Sequence, residues 1–191
     1  MRPQSRTPAR RLATAQDTRE WGRELAQDLR AGDLVILVGE LGAGKTTFVQ
    51  GLAEGLGVRG PITSPTFVIA RSHPSTVGGP ALVHVDAYRL GGCLELDDLD
   101  LDTDVETAVT VVEWGEGLAE ALGTAGHLVV SLERAVAGPG AARARADLDP
   151  GRQPGDPDAG RGPGEPDEPA DPRVGRVRGI GPRWEGTSRA G

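Results

Sequence analysis

Lysine is nearly absent from this 191-residue chain: Lys and Arg total 21, and Lys45 is the one lysine among them. Cysteine also occurs once, at Cys93, which excludes an internal disulfide framework and a cysteine-rich zinc site and suits a reducing compartment. Aromatic residues make up only 3% of the chain and hydrophobic residues 37%, little for a globular protein. No run approaches about 18 apolar residues, so no helix is expected to cross a membrane. The basic stretch Met1 to Arg11 is not followed by an apolar segment, so no secretory signal is expected. Positive charge is in deficit too. A formal net charge of −7 argues against a domain that wraps DNA or RNA unaided, because such domains carry a basic field. Contact with RNA is expected only indirectly, through a partner, and the expected location is cytoplasmic.

Glycine and proline, at 29 and 15 residues, are plentiful, but the average conceals two regions. Residues 1–13 read as a disordered leader and 14–136 as one α/β domain. Residues 137–172 consist of Gly, Pro, Ala, Asp and Arg with almost no large apolar side chain. They cannot offset their ordering entropy and are expected to be disordered. In 173–191, Arg176–Ile180 and Trp184 read either as one last strand returning to the sheet or as more of the tail.

Within the domain, Trp21, Leu25 and Leu29 recur at i, i+4, i+8, which predicts a helix from about Asp17 to Arg30. Leu34 to Val38 is an apolar run too short for a helix and reads as a strand buried on both faces. A second helix follows to about Leu56, with Phe48, Val49, Leu52 and Leu56 inward and Gly57 beyond its end. Strands are expected at Thr66–Ser72, Ala81–Val85, Ala108–Val112 and His127–Leu132, and short helices at Leu94–Leu101 and Glu116–Leu122. This alternation predicts an α/β sandwich of the P-loop NTPase type, with a mostly parallel central sheet flanked by helices.

Between the first buried strand and its helix stands Gly39-Glu40-Leu41-Gly42-Ala43-Gly44-Lys45-Thr46, with Thr47 next. The strand–GxxxxGK[ST]–helix pattern needs each part. The glycines let the backbone approach phosphate oxygens, successive N–H groups form an anion nest, and the helix adds its positive end. Lys45 would reach the β- and γ-phosphates of ATP, and Thr46 would be a ligand of Mg²⁺. A compact ammonium suits that place better than arginine's planar fork, in a chain that otherwise uses arginine.

A P-loop needs a carboxylate at a strand end to hold the metal shell or to orient the attacking water. Two candidates exist: Asp86, closing Ala81–Val85, and Glu113, followed by Trp114. Composition does not decide between them, and both stand as candidate catalytic and metal-site residues beside Lys45. Thr63-Ser64-Pro65-Thr66-Phe67 supplies hydroxyls able to follow a γ-phosphate, stiffened by proline. His84 reads as a packed or hydrogen-bonding residue, and Tyr88 and Arg89 as braces of the site or contacts for a partner.

Taken together, Gly39–Phe48, Thr63–Phe67, His84-Val85-Asp86-Ala87-Tyr88-Arg89-Leu90, Glu95-Leu96 and Glu113-Trp114 resemble the TsaE family across about residues 14–135. The resemblance implies a cytosolic ATPase of tRNA threonylcarbamoyladenosine biosynthesis, working with a TsaD–TsaB transferase complex. It also implies a switch-like loop at Thr63–Phe67, Asp86 as the Walker-B-like acid, Glu113 as a second acid near Mg²⁺ and Trp114 beside it. Thr66 and Trp114 then join the nucleotide-binding residues. Asp100, where the family usually has glycine, and the long insertion after Leu132 depart from the pattern. Two other readings compete: a small-molecule kinase, and a non-catalytic nucleotide-binding module. The kinase needs an acceptor pocket and an arginine-rich lid, and nine of the 20 arginines fall beyond residue 136.

Overall fold

The computed structural model describes residues 9–65, 70–89, 106–123, 125–135 and 172–185. Seven strands form one sheet in the order β1-β7-β6-β2-β5-β4-β3. They are β1 (Arg10–Leu12), β2 (Leu34–Val38), β3 (Ala70–His73), β4 (Ala81–Asp86), β5 (Ala108–Glu113), β6 (His127–Arg134) and β7 (Arg173–Ile180). The four central strands, β6-β2-β5-β4, run parallel, while β1, β7 and β3 pair antiparallel at the margins.

Helix α1 (Ala15–Ala26) opens with a capping box in which Thr14 and Asp17 satisfy each other's backbone N–H groups. It stops before the expected Arg30. The backbone tightens to i−3 bonds at Gln27, Asp28 and Leu29, and the Asp33 carboxylate then accepts from the Arg30 N–H. Helix α2 (Lys45–Leu56) ends at Gly57, whose left-handed backbone closes it.

The two helices pack on each other at backbone distance: a methyl group built on Gly51 would lie 1.8 Å from Arg19 O. They cover one face of the sheet, where Trp21, Leu25, Phe48 and Leu52 meet Val35, Leu37, Val111 and Val130. The alternate residues Leu34, Ile36, Val83, Val85 and Val112 form a smaller core on the other face. Among the described residues that second core is closed by segments around two 3₁₀ turns, Ala87–Arg89 and Ala119–Leu122. The latter lies within the short helix expected at Glu116–Leu122 and is of 3₁₀ form.

At the chain's start one expectation needs correction, while at its end one of the two readings holds. Residues 1–13 read in sequence as a disordered leader, yet Arg10–Leu12 form β1, because Leu12 is fully buried and the segment pairs with β7. Of the two readings of 173–191, the strand returning to the sheet is the one present, as β7. Arg173, Arg176 and Arg178 lie on β7, and Arg183 forms a bidentate pair with Asp33 while stacking on Trp184. The expected strand from Thr66 begins at Ala70 among the described residues. The expected helix at Leu94–Leu101, together with Leu90, Glu95, Asp100 and most of the 137–172 segment, lies outside them, as do Thr66 and Phe67.

Candidate nucleotide site

The carboxyl ends of parallel strands are where ligands bind in open α/β sheets, and here three neighbouring ends carry polar chemistry. β2 delivers the glycine loop, β5 ends at Glu113 and β4 ends at Asp86. Asp86 and Glu113 are direct register partners across the β4–β5 ladder. A cavity of about 550 Å³ opens over these ends, lined by Gly42, Gly44, Lys45 and Thr46 from one side and by Asp86 and Glu113 from the other.

The loop holds backbone geometry that side chains resist. Gly44 has φ +99° and starts α2 from a left-handed turn; Gly39 has φ +152° and passes so close to β6 that a methyl there would lie 2.4 Å from Leu132 O. Lys45 is buried and its Nζ donates to Gly39 O (2.8 Å) and Glu40 O (3.1 Å). Burial pushes its pKa below the ordinary lysine value, and Glu113 and Asp86 pull the other way.

Glu113 Oε1 accepts two hydrogen bonds, from Thr46 Oγ1 (3.2 Å) and from His84 Nε2 (2.9 Å). His84 is fully buried on β4, and its ring fixes the carboxylate from behind. Asp86 Oδ1 accepts from the Tyr88 N–H (3.0 Å), turning the chain after β4, and Oδ2 accepts from Ser64 Oγ (3.4 Å). Among the described residues Trp114 alone, other than glycines, has a positive φ, at 62°. That costs energy for a bulky residue and is a mark of functional sites. The turn lays the indole over Lys45, with Nζ 3.9 Å from the ring centroid, and sets it 5.4 Å from the Tyr88 ring.

Most expected residues therefore converge. Gly39 to Thr47 form the loop and the first turn of α2, and Lys45, Thr46, Asp86, Glu113 and Trp114 meet around one cavity. Glu40, Leu41 and Ala43 belong to the loop, with Leu41 largely exposed at its tip and Ala43 buried beneath it. Thr63 lies off the acids, accepting from Arg71 Nη1 (3.2 Å). Sequence reasoning missed two arginines. Arg173 lines the cavity and its Nη2 donates to Gly42 O (3.4 Å), and Arg134 Nη2 would lie 2.5 Å from a methyl on Gly42. The segment 135–172 separates them in sequence, so no local pattern links them to the loop.

Known proteins resemble this chain in sequence and fold. The family described as "Threonylcarbamoyl adenosine biosynthesis protein TsaE" matches residues 12–140, more than half of the chain. The tRNA threonylcarbamoyladenosine biosynthesis protein TsaE of Streptomyces coelicolor is 66% identical over 119 residues, covering 62% of this chain and 80% of that protein. Its counterpart in Mycobacterium tuberculosis is 56% identical over 130 residues, covering 64% and 77%. The crystal structure of Bacillus subtilis YdiB aligns with a TM-score of 0.60 at 25% identity, over 93% of this chain and 88% of that one. The chain belongs to the TsaE family, the threonylcarbamoyl adenosine biosynthesis proteins.

Proposed function

We propose that this chain is the Mg²⁺-dependent, ATP-binding and ATP-hydrolysing component of tRNA threonylcarbamoyladenosine biosynthesis, and that its ATP cycle supports turnover of a TsaD–TsaB transferase complex in the cytoplasm. One observation carries the catalytic part: Asp86 and Glu113 stand side by side on adjacent parallel strands, and Glu113 is bonded to Thr46 of the loop. Binding alone would not require two carboxylates there.

The residues suit a magnesium nucleotide. Among the described residues no three His, Cys, Asp or Glu side chains cluster as a metal cage. A cation here would rest on the Thr46 hydroxyl, one or two carboxylates and phosphate oxygens, which is how Mg²⁺ is usually held. When bound, Mg²⁺ would neutralise charge on the β- and γ-phosphate oxygens. Lys45 would turn from the carbonyls of Gly39 and Glu40 to the phosphates. Glu113, already bonded to Thr46, takes the metal side. Asp86, bonded to Ser64, takes the side from which water approaches the γ-phosphoryl group. Trp114 caps the ammonium and excludes bulk water, which strengthens each of these charge interactions.

Calorimetry with ATP and ADP, with and without Mg²⁺, tests binding, and release of inorganic phosphate tests hydrolysis. The expectation is binding that Mg²⁺ tightens, slow hydrolysis that a TsaD–TsaB complex accelerates, and loss of hydrolysis in Lys45→Ala. Phosphate appearing on an acceptor rather than in water would favour a kinase. Hydrolysis unchanged in Asp86→Asn and Glu113→Gln would refute the roles given to the two acids, and nucleotide binding with no phosphate release, alone or with the complex, would favour a non-catalytic module.

A further inference from the structure

We propose that Gln50 is a positioning residue for hydrolysis: its side-chain amide anchors the loop that carries Ser64 and so sets Ser64 against Asp86. The inference rests on the ATPase reading and adds to it a residue outside the cavity lining. Residues 61–65, between α2 and β3, belong to no helix or strand. A segment of this kind has no ladder to hold it, so side chains or water must satisfy its backbone.

Side chains from three elements grip three consecutive residues there. Gln50 Nε2 of α2 donates to Ile62 O (3.0 Å), Arg71 Nη1 of β3 donates to Thr63 Oγ1 (3.2 Å), and Asp86 Oδ2 of β4 accepts from Ser64 Oγ (3.4 Å). Of these grips, that of Gln50 is the one on backbone, so it fixes the path of the chain where the others hold rotatable hydroxyls. Ile62 is buried in the main core and Pro65 is buried on the other side of Ser64. The Ser64 hydroxyl is thus presented to the cavity from a short span pinned at both ends.

The neighbours of Gln50 dictate how its amide lies. Gln50 Oε1 accepts from Arg19 Nη2 of α1 at 2.7 Å; a guanidinium can only donate and the Ile62 carbonyl can only accept. A reversed amide would set donor against donor and acceptor against acceptor. Gln50 therefore ties α1, α2 and the loop together, and it stands about one and a half turns along α2 from Lys45 and Thr46. Phosphate binding at the head of α2 and the placing of Ser64 share one rigid element. A carboxylate at this position would serve Arg19 but not Ile62.

The test is phosphate release over a range of MgATP concentrations, with the thermal melt of each protein, for Gln50→Ala and Gln50→Glu. Loss of the anchor should lower kcat about three- to tenfold, the worth of one net hydrogen bond. KM should stay within about twofold, because the glycine loop and Lys45 are untouched. In Gln50→Glu the carboxylate still accepts from Arg19 but has no proton for Ile62 O. Its melt should stay near wild type while kcat falls at least as far as in Gln50→Ala. A purely structural role would instead let melt and kcat recover together in Gln50→Glu. Wild-type kcat in Gln50→Glu, or a rise in KM at unchanged kcat in either variant, would overturn the proposal. A wild-type protein that releases no phosphate, alone or with the transferase complex, would remove the ATPase reading beneath it.

Discussion

His84→Ala probes the site from behind. The imidazole is fully buried in β4 and donates to Glu113 Oε1 at 2.9 Å, and Glu113 is itself only 3% exposed. Deleting the ring removes a hydrogen bond to a buried carboxylate, worth about 1.5–3 kcal/mol. It also leaves a void that the neighbouring strands β3 and β5 cannot readily fill, costing about another 1–2 kcal/mol. The expected loss is therefore about 3–5 kcal/mol, a large share of a domain's usual total of about 5–15 kcal/mol. Thr46 remains as a partner of Glu113, so the carboxylate loses one of two anchors and its aim loosens. His84→Gln places an amide N–H near the same point and should recover much of both losses. Urea denaturation reads the stability, and phosphate release at saturating MgATP reads the aim. The reasoning fails if His84→Ala lies within about 1 kcal/mol of wild type, or if the glutamine variant does no better than alanine.

Two further perturbations test the frame. Gly51→Ala should cost about 3 kcal/mol or more by chemical denaturation, since the new methyl would meet Arg19 O at 1.8 Å and force the helices apart; a midpoint shift near zero would contradict the close crossing. His73 and His127 are buried, and desolvation depresses both pKa values below the ordinary 6.5. On acidification the unfolded chain takes up these protons first, so stability present above about pH 6.5 is lost as pH falls toward the folded-state values. Denaturation curves between about pH 7.5 and 5.5 should show that slope, and His73→Gln should flatten it.

The centre of the fold was legible because each part carries a local signal. An apolar pentapeptide, a glycine loop and an amphipathic helix follow one another from Leu34 to Leu56, and the acids close apolar runs. What escaped depends on register or on distance along the chain. The bond from His84 to Glu113 joins strands 29 positions apart, and the arginine pair exists only because β7 folds back on β6. β1 escaped for another reason: a three-residue edge strand in a basic segment has no periodicity to detect, and only Leu12 is buried in it. The short α1 was a matter of local competition, with Asp33 capturing the backbone that the helix would have used.

Likeness to the family runs to residue 140, but the sheet is completed by residues 173–180. β7 supplies the ladder partner of β1, its Gly175 admits the Trp21 ring, and just beyond it Arg183 grips Asp33 and Trp184 joins the main core. A polypeptide ended where sequence likeness fades would bare one edge of β6, strand the first ten or so residues and strip the loop of Arg173. The folding unit is thus continuous in space and split in sequence. Because loop-closure entropy grows only by about 0.6 kcal/mol per doubling of length, evolution can lengthen the join between the halves with little thermodynamic consequence, so long as both halves remain.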